Sequence, residues 1–339
     1  MALFKKNVAL DLGTVNVVIY VAGQGVVLRE PAVAAVSNDK YKDVLAVGTQ
    51  ARAKLAKLPG GAKEVYPVKE GVINDFLVAE EMISYFLAKA LKRRTIIGAG
   101  TSVVVGVPCS VSEKDKQTVQ KAIKNAGAKE VIVAEQPMLA AIGAGLPINS
   151  PVGSMVVDIG GGTTEIAIVS LSEIVVSRSI RIGGTLLDRD IAYYVRRKYD
   201  LAITDKVAEQ IKIEFASALD IKDMSSINVR GRNAYSGVPE SVELTSREVC
   251  AAISNTVDSI VIEIRALLEH ISPEIAADVL ENGITLTGGG ALLNGMAERI
   301  ENDIGIPAKV ARTPLDSVAL GAGVIAEQLE DLKKSRGIR

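Results

Sequence analysis

One stretch restricts the fold more than any other. In Val156-Val-Asp158-Ile-Gly160-Gly161-Gly162-Thr163-Thr164-Glu165-Ile166-Ala-Ile168, apolar strand residues run into three glycines and two threonines and then resume as a strand. Consecutive glycines inside a strand pattern weaken the strand and mark a tight bend, or a place where another group approaches the backbone closely. A turn of successive backbone N–H groups makes an anion-binding concavity to which threonine hydroxyls add donors, so phosphate suits it. Taken alone, the stretch can also be read as a bare hairpin turn, with phosphate the favoured reading. It has a shorter twin in Val8-Ala-Leu10-Asp11-Leu-Gly13-Thr14-Val-Asn16-Val-Val-Ile-Tyr20. Two Asp-apolar-Gly hairpins nearly half a chain apart imply a duplicated α/β domain with a cleft between its halves.

The remaining pattern supports that reading. Strand residues continue through Val26–Leu28 and past Pro31 to Val33–Val36, which predicts an antiparallel meander. Residues 37–65 turn charged and small, as a peripheral subdomain does. Met82, Ile83, Phe86, Leu87, Ala90 and Leu91 recur at helical spacing within 79–93. Val103–Val107 reads as a buried strand, Ser112 as the N-cap of a helix that stops at Gly127, and Val131–Val133 as the next strand, feeding a helix through Pro137. Alternating strands and helices argue for a mixed sheet covered by helices, and 145–153 for the domain crossover. Beyond it lie a helix from Leu187 towards Tyr199, one from Asp205 to Leu219, and a capping box at Thr245-Ser-Arg-Glu248 before a long helix reaching His270. A strand at 283–287 ends in Gly288-Gly289-Gly290, which opens a helix, and Asp316–Gly321 opens the last one.

Composition removes several function classes. Lysine and arginine number 39 against 40 acidic residues, net -1, so there is no electrostatic footprint for nucleic acid. Aromatics are 4% with no tryptophan, too few for a stacking platform. Cys109 and Cys250 have neither zinc nor disulfide spacing and read as small buried hydrophobes in a reducing cytosol. His270 closes a helix and is assigned no chemistry. Asp11 interrupts the early apolar run before a signal sequence forms, and the longest uncharged segment, 95–112, carries glycines and a proline unsuited to a spanning helix.

Five motifs in order resemble the actin, sugar-kinase and DnaK-type ATPase superfamily and, within it, the MreB family of bacterial actin homologues. They are Asp11-Leu-Gly-Thr14, Val157 through Glu165, Leu286-Thr-Gly-Gly-Gly-Ala-Leu-Leu293, and the connecting segments from Glu135 to Gly145 and from Asp316 to Gly323. Ala208-Glu209-Gln-Ile-Lys212-Ile-Glu214 is similar to the family's nucleotide-contacting helix. The resemblance implies an actin-like α/β fold of duplicated RNase H-like domains with four subdomains around a nucleotide cleft. Subdomain IA would take 1–33, 68–146 and 318–339, IB 34–67, IIA 147–183 and 242–317, and IIB 184–241. It further implies that Gly13, Thr14, Asn16, Gly160, Gly161, Gly162 and Thr163 meet the phosphates of ATP or ADP. Glu209, Lys212, Gly288, Gly289 and Gly290 would hold ribose and adenine, and Asp11 and Asp158 a hydrated Mg²⁺.

One departure stands out. The family usually carries glutamate where this chain has Gln136, before Pro137. A carboxylate can take the attacking water's proton, whereas a carboxamide only orients the water, so weak ATPase activity is expected. Thr163 remains as a water-positioning hydroxyl, and Glu135 ranks second as base because neighbours at a helix start point in different directions. The resemblance also implies antiparallel double protofilaments on the inner membrane face in the cytoplasm, a role in cell shape, and RodZ- and MreC-like partners. Ile96 and Ile97 beside Lys92, Arg93 and Arg94 resemble a membrane-inserting loop, and Met1–Lys6 repeats the combination. A small-molecule kinase of the same superfamily is the alternative, and a chaperone ATPase is disfavoured by the short segment after the last nucleotide helix.

Overall fold

In the computed structural model, which describes residues 7–38, 43–57, 60–92, 100–219 and 225–335, the chain divides into two units. The first comprises residues 1–150, 169–175 and 315–339, and the second 151–168 and 176–314. The chain runs through strands β1 (Asn7–Leu12), β2 (Asn16–Val21), β3 (Gly25–Pro31), β4 (Ala34–Ser37) and β5 (Val44–Val47), helix α1 (Gly48–Lys57), then β6 (Ala62–Val65), β7 (Val68–Lys69) and β8 (Val72–Ile73). Helix α2 (Phe76–Ala90), β9 (Ser102–Val107), α3 (Glu113–Asn125), β10 (Glu130–Glu135) and α4 (Gln136–Gly143) follow. The second half adds β11 (Ser154–Ile159), β12 (Thr164–Ser170), β13 (Glu173–Ile180), α5 (Gly184–Tyr199), β14 (Leu201–Ala202), α6 (Asp205–Phe215), β15 (Ser226–Asn233) and β16 (Pro239–Thr245). Last come α7 (Ser246–Leu268), α8 (Pro273–Asn282), β17 (Ile284–Thr287), α9 (Met296–Ile304), β18 (Ala308–Val310) and α10 (Ser317–Ser335).

In the first unit the sheet order is β10-β9-β1-β2-β3, with β1, β9 and β10 parallel and β1, β2 and β3 antiparallel. Every residue of β9 is buried, as a strand covered on both faces must be. Alternate residues Val8, Leu10 and Leu12 join Met82, Ile83, Phe86 and Leu87 of α2 and Val119 and Ile123 of α3 in one core. Helices α4 and α10 also pack on this sheet. Their crossing is close enough to exclude side chains: a Cβ at Gly143 would sit 1.8 Å from Ser317 O, and one at Gly321 1.9 Å from Leu139 O. Asn7 Nδ2 donates to Ala326 O at 2.9 Å and Tyr20 Oη to Glu327 Oε1 at 2.6 Å, fixing α10 along β1 and β2.

The second unit's sheet repeats the pattern as β13-β12-β11-β17-β18, with β11, β17 and β18 parallel. Its core joins Met155, Val157, Ile159, Ile166 and Ile168 to Ile253, Val257, Ile260 and Ile264 of α7 and to Leu187, Ile191 and Val195 of α5. Thr245 and Glu248 form the capping box the sequence announces. Glu248 also accepts from Tyr199 Oη at 2.7 Å and pairs with Lys198. Burial raises its carboxyl, but bonds from Lys198, Tyr199 and Thr245 outweigh that and hold it at about 2.

Some expectations are corrected. Strand β4 leaves the meander and joins a separate sheet, β5-β4-β6, covered by α1 through Val33, Ala35 and Ala51. Helix α2 starts at Phe76 because Asp75 accepts from Val78 N at 3.3 Å. Helix α6 stops at Phe215 because Ala218 N donates to Asn294 O at 2.8 Å and Ser217 bridges Asn294. The glycines after β17 open a 3-10 helix, Gly289–Leu292, and not an α-helix. Cys250 is buried as expected, whereas Cys109 is partly exposed.

The α4–α10 crossing yields a test. Gly321→Ala should cost about 3 kcal/mol or more of the first unit's stability, since backbone atoms must move to admit the methyl group. Denaturant unfolding with wild-type stability would contradict the crossing.

Candidate nucleotide site

The parallel strands of the first unit share one carboxyl end, where ligands of such sheets gather. Asp11 of β1, Gly106 of β9 and Ala134 of β10 form a row in register. Gln136 lies just beyond it, buried, as the first residue of α4. A Cβ at Gly106 would come within 3.0 Å of Leu139 Cδ1, 3.1 Å of Val318 Cγ1 and 3.2 Å of Gln136 Cγ, so this glycine leaves Gln136 its place beside the Asp11 row. Glu135 ends β10 and caps α4 without a side-chain bond. It lies close enough to act on Lys116, whose ammonium is raised mainly by Glu113. The turn between β1 and β2 holds Gly13 and Thr14, with Asn16 opening β2. A Cβ at Gly13 would stand 2.7 Å from Asn16 O.

The second unit has the corresponding parts. Asp158 is the fifth residue of β11, as Asp11 is of β1, and is opposite Thr287 in β17. Between β11 and β12 the turn is closed by Gly160 N donating to Thr163 O at 2.9 Å. A Cβ at Gly160 would meet that same oxygen at 3.1 Å, as Gly13 would meet Asn16 O. The turn's carbonyls face α5: Gly184 N donates to Gly160 O at 2.9 Å and Thr185 N to Gly161 O at 2.8 Å. The start of α5 is thus satisfied by the loop itself, and Thr164 Oγ1 adds a bond to Ile182 O at 2.7 Å.

Gly288 has φ +79°, and a Cβ there would lie 2.3 Å from Ile159 O; one at Gly290 would lie 2.2 Å from Ile159 Cγ2. Packing on β11 alone therefore requires glycine at both positions, while Gly289 begins the 3-10 turn. Glu209 and Lys212 are on α6, where Lys212 Nζ pairs with Asp188 Oδ1 at 2.8 Å and donates to Gly184 O at 3.0 Å. Ile96 and Ile97, with Arg93, Arg94 and 1–6, lie outside the described residues.

Two residues escaped sequence reasoning. Thr287 donates from Oγ1 to Asp158 Oδ1 at 2.8 Å, and its place before three glycines was the available signal. Asp188 carries no local signal, because its partner sits on another helix. Burial pushes the Asp158 carboxyl up to about 6 against the pull of the Thr287 hydroxyl. Among the described residues no three His, Cys, Asp or Glu side chains converge on a metal position. A buried carboxylate whose charge is uncompensated by solvent suits a hydrated Mg²⁺, which takes one or two protein carboxylates and keeps its waters. Its folded pKa lies above the unfolded value, so stability falls as pH rises from about 4 to 6 and the cost at pH 7.5 is about 3 kcal/mol. In EDTA and without nucleotide, Asp158→Asn should therefore unfold at higher denaturant than wild type at pH 7.5, the gap closing below pH 4. An equal midpoint at pH 7.5 would contradict this.

Comparison with known proteins identifies the family and the fold. The family model described as MreB/Mbl protein matches residues 5–334. The cell shape-determining protein MreB of Escherichia coli K12 is 43% identical over 331 residues, covering 97% of this chain and 95% of that protein. The cell shape-determining protein Mbl of Bacillus subtilis is 39% identical, covering 98% and 99%. Among solved structures, MreB 5 of Spiroplasma citri bound to AMPPNP superposes with TM-score 0.89 at 34% identity, covering 98% of this chain and 99% of that one. A MamK double helical filament, at 22% identity and TM-score 0.81 over 95% of this chain and 99% of that one, shares the fold. The fold is thus the actin-like α/β fold, and with a family match running almost end to end and these identities, the chain belongs to the MreB/Mbl family.

Proposed function

We propose that the protein binds ATP with hydrated Mg²⁺ and polymerises into membrane-associated filaments that support cell shape. The observation that carries this reading is the repeated one: two sheets of like order, each with an aspartate at the same strand position followed by a glycine turn. It is supported by the Spiroplasma citri relative, solved with AMPPNP and with ADP, and by the names of the curated relatives.

On this reading the peptide N–H groups and hydroxyls of Gly13, Thr14, Asn16, Gly161, Gly162 and Thr163 grip the phosphates, while Gly160, whose N–H is spent on Thr163 O, shapes the turn. In the turn at 160–163 the Gly160 and Gly161 carbonyls are engaged by α5 and Thr163 O by Gly160 N, which leaves the N–H groups of Gly161, Gly162 and Thr163 for an anion. Asp11 and Asp158 would hold the hydrated cation, which would supply charge neutralisation to the phosphates. Glu209, Lys212, Gly288, Gly289 and Gly290 line the nucleoside. Gln136 orients the attacking water with Thr163, and Glu135 is second in line as a base. Because a carboxamide cannot accept the proton, turnover is slow.

Filaments would be antiparallel double protofilaments on the cytoplasmic face of the membrane, with RodZ- and MreC-like partners. No described helix is long and apolar enough to cross a membrane. Attachment is assigned to Ile96 and Ile97 with their neighbouring cations, an apolar and basic combination suited to an anionic surface.

Sedimentation and electron microscopy with ATP, with and without anionic vesicles, test the reading together. ATP-dependent filaments should form and decorate vesicles, and a protein with Ile96→Ser and Ile97→Ser should form filaments that leave vesicles bare. A monomer that phosphorylates a small molecule would overturn it in favour of a kinase. For hydrolysis, Gln136→Glu should raise phosphate release by at least about tenfold. A rate unchanged or lowered across ATP and protein concentrations would refute the role given to Gln136.

A further inference from the structure

On the carbonyl side of the turn at 160–163, α5 and α6 are joined by an ion pair whose acidic member, Asp188, the mechanism above leaves unused. Lys212 and Asp188 are 17% and 13% exposed, at 2.8 Å, and Lys212 Nζ also donates to Gly184 O at 3.0 Å. Gly184 N continues the chain to Gly160 O at 2.9 Å. Lysine ammonium, helix start and turn carbonyls are therefore one hydrogen-bonded series. At Gly183 a Cβ would stand 2.6 Å from Gly160 O, so helix and turn meet backbone to backbone.

A lysine ammonium has three N–H donors, and Asp188 and Gly184 O take two of them. The flexible stem of a lysine ordinarily lets its charge wander towards the strongest anion nearby. Here Asp188 offsets that charge and fixes its direction. Burial raises the Asp188 carboxyl while Lys212 lowers it, with Glu209 and Asp205 adding to the rise.

We propose that Asp188 is a positioning residue for nucleotide binding, holding Lys212 so that its third N–H meets an uncharged acceptor of the nucleoside, a ribose oxygen or a ring nitrogen, and not the phosphates. This inference rests on the ATP reading above. It accounts for a cation beside a phosphate turn being paired with a carboxylate, an arrangement unsuited to attracting polyphosphate but suited to a directed neutral contact.

The test is a double-mutant cycle read by calorimetric titration with ATP and with ADP. Asp188→Asn and Lys212→Gln should each weaken both nucleotides by about tenfold and by similar factors for the two, and the double variant should be no weaker than either single. Unchanged affinity in Asp188→Asn overturns the proposal. So do losses that multiply in the double variant, or a Lys212→Gln loss much larger for ATP than for ADP. If Asp188→Asn does not fold, Asp188→Glu serves in the same cycle, with partial recovery expected. Wild-type protein that binds neither nucleotide overturns the ATP reading itself, whereas wild-type binding with an unaffected Asp188→Asn overturns only this inference.

Discussion

The parallel pairing of a central strand with its neighbour, β1 with β9 and β11 with β17, is the interaction on which the rest of each unit depends. It brings strand carboxyl ends together, and so sets Asp11 next to Gly106 and Asp158 next to Thr287. Each central strand then turns back antiparallel through a glycine whose missing side chain leaves room for the carbonyl three residues on. The result in each unit is a glycine-bearing turn at the carboxyl end of the parallel strands. Such a turn can meet a polyphosphate without lysine or arginine at its centre, consistent with a chain whose charges nearly balance.

What was legible in the sequence was local. The two glycine turns, the Ser112 cap and the Thr245–Glu248 box each consist of residues a few positions apart, and each forms as read. The duplication was legible because it repeats a local pattern, and the sheet orders repeat with it. Distant partners decided the remainder. Strand β4 looked continuous with the meander but pairs with β5 and β6, and α6 ends early because Asn294 captures the following backbone. Gly143 and Gly321 are ordinary helical glycines until each meets the other helix's backbone, and Asp188 is unremarkable until Lys212 arrives from α6.

The site residues separate into those constrained by the fold and those left to chemistry. Gly288 and Gly290 are required by Ile159 whatever else approaches them, so their identity alone is poor evidence for a bound ring. Gln136 is different. Its stem is held by the space over Gly106, yet nothing in that packing demands an amide in place of a carboxylate. On the proposed reading, the choice of group there is the part of the site that bears on water activation.

The most direct measurement is a crystal structure of the protein with Mg²⁺ and AMPPNP. The account places phosphate oxygens about 3 Å from peptide N–H groups of both glycine turns, at Gly13–Thr14 and at Gly161–Thr163, with the cation's waters on Asp11 and Asp158. A nucleotide held by one turn alone, or by side-chain cations away from both, would contradict it.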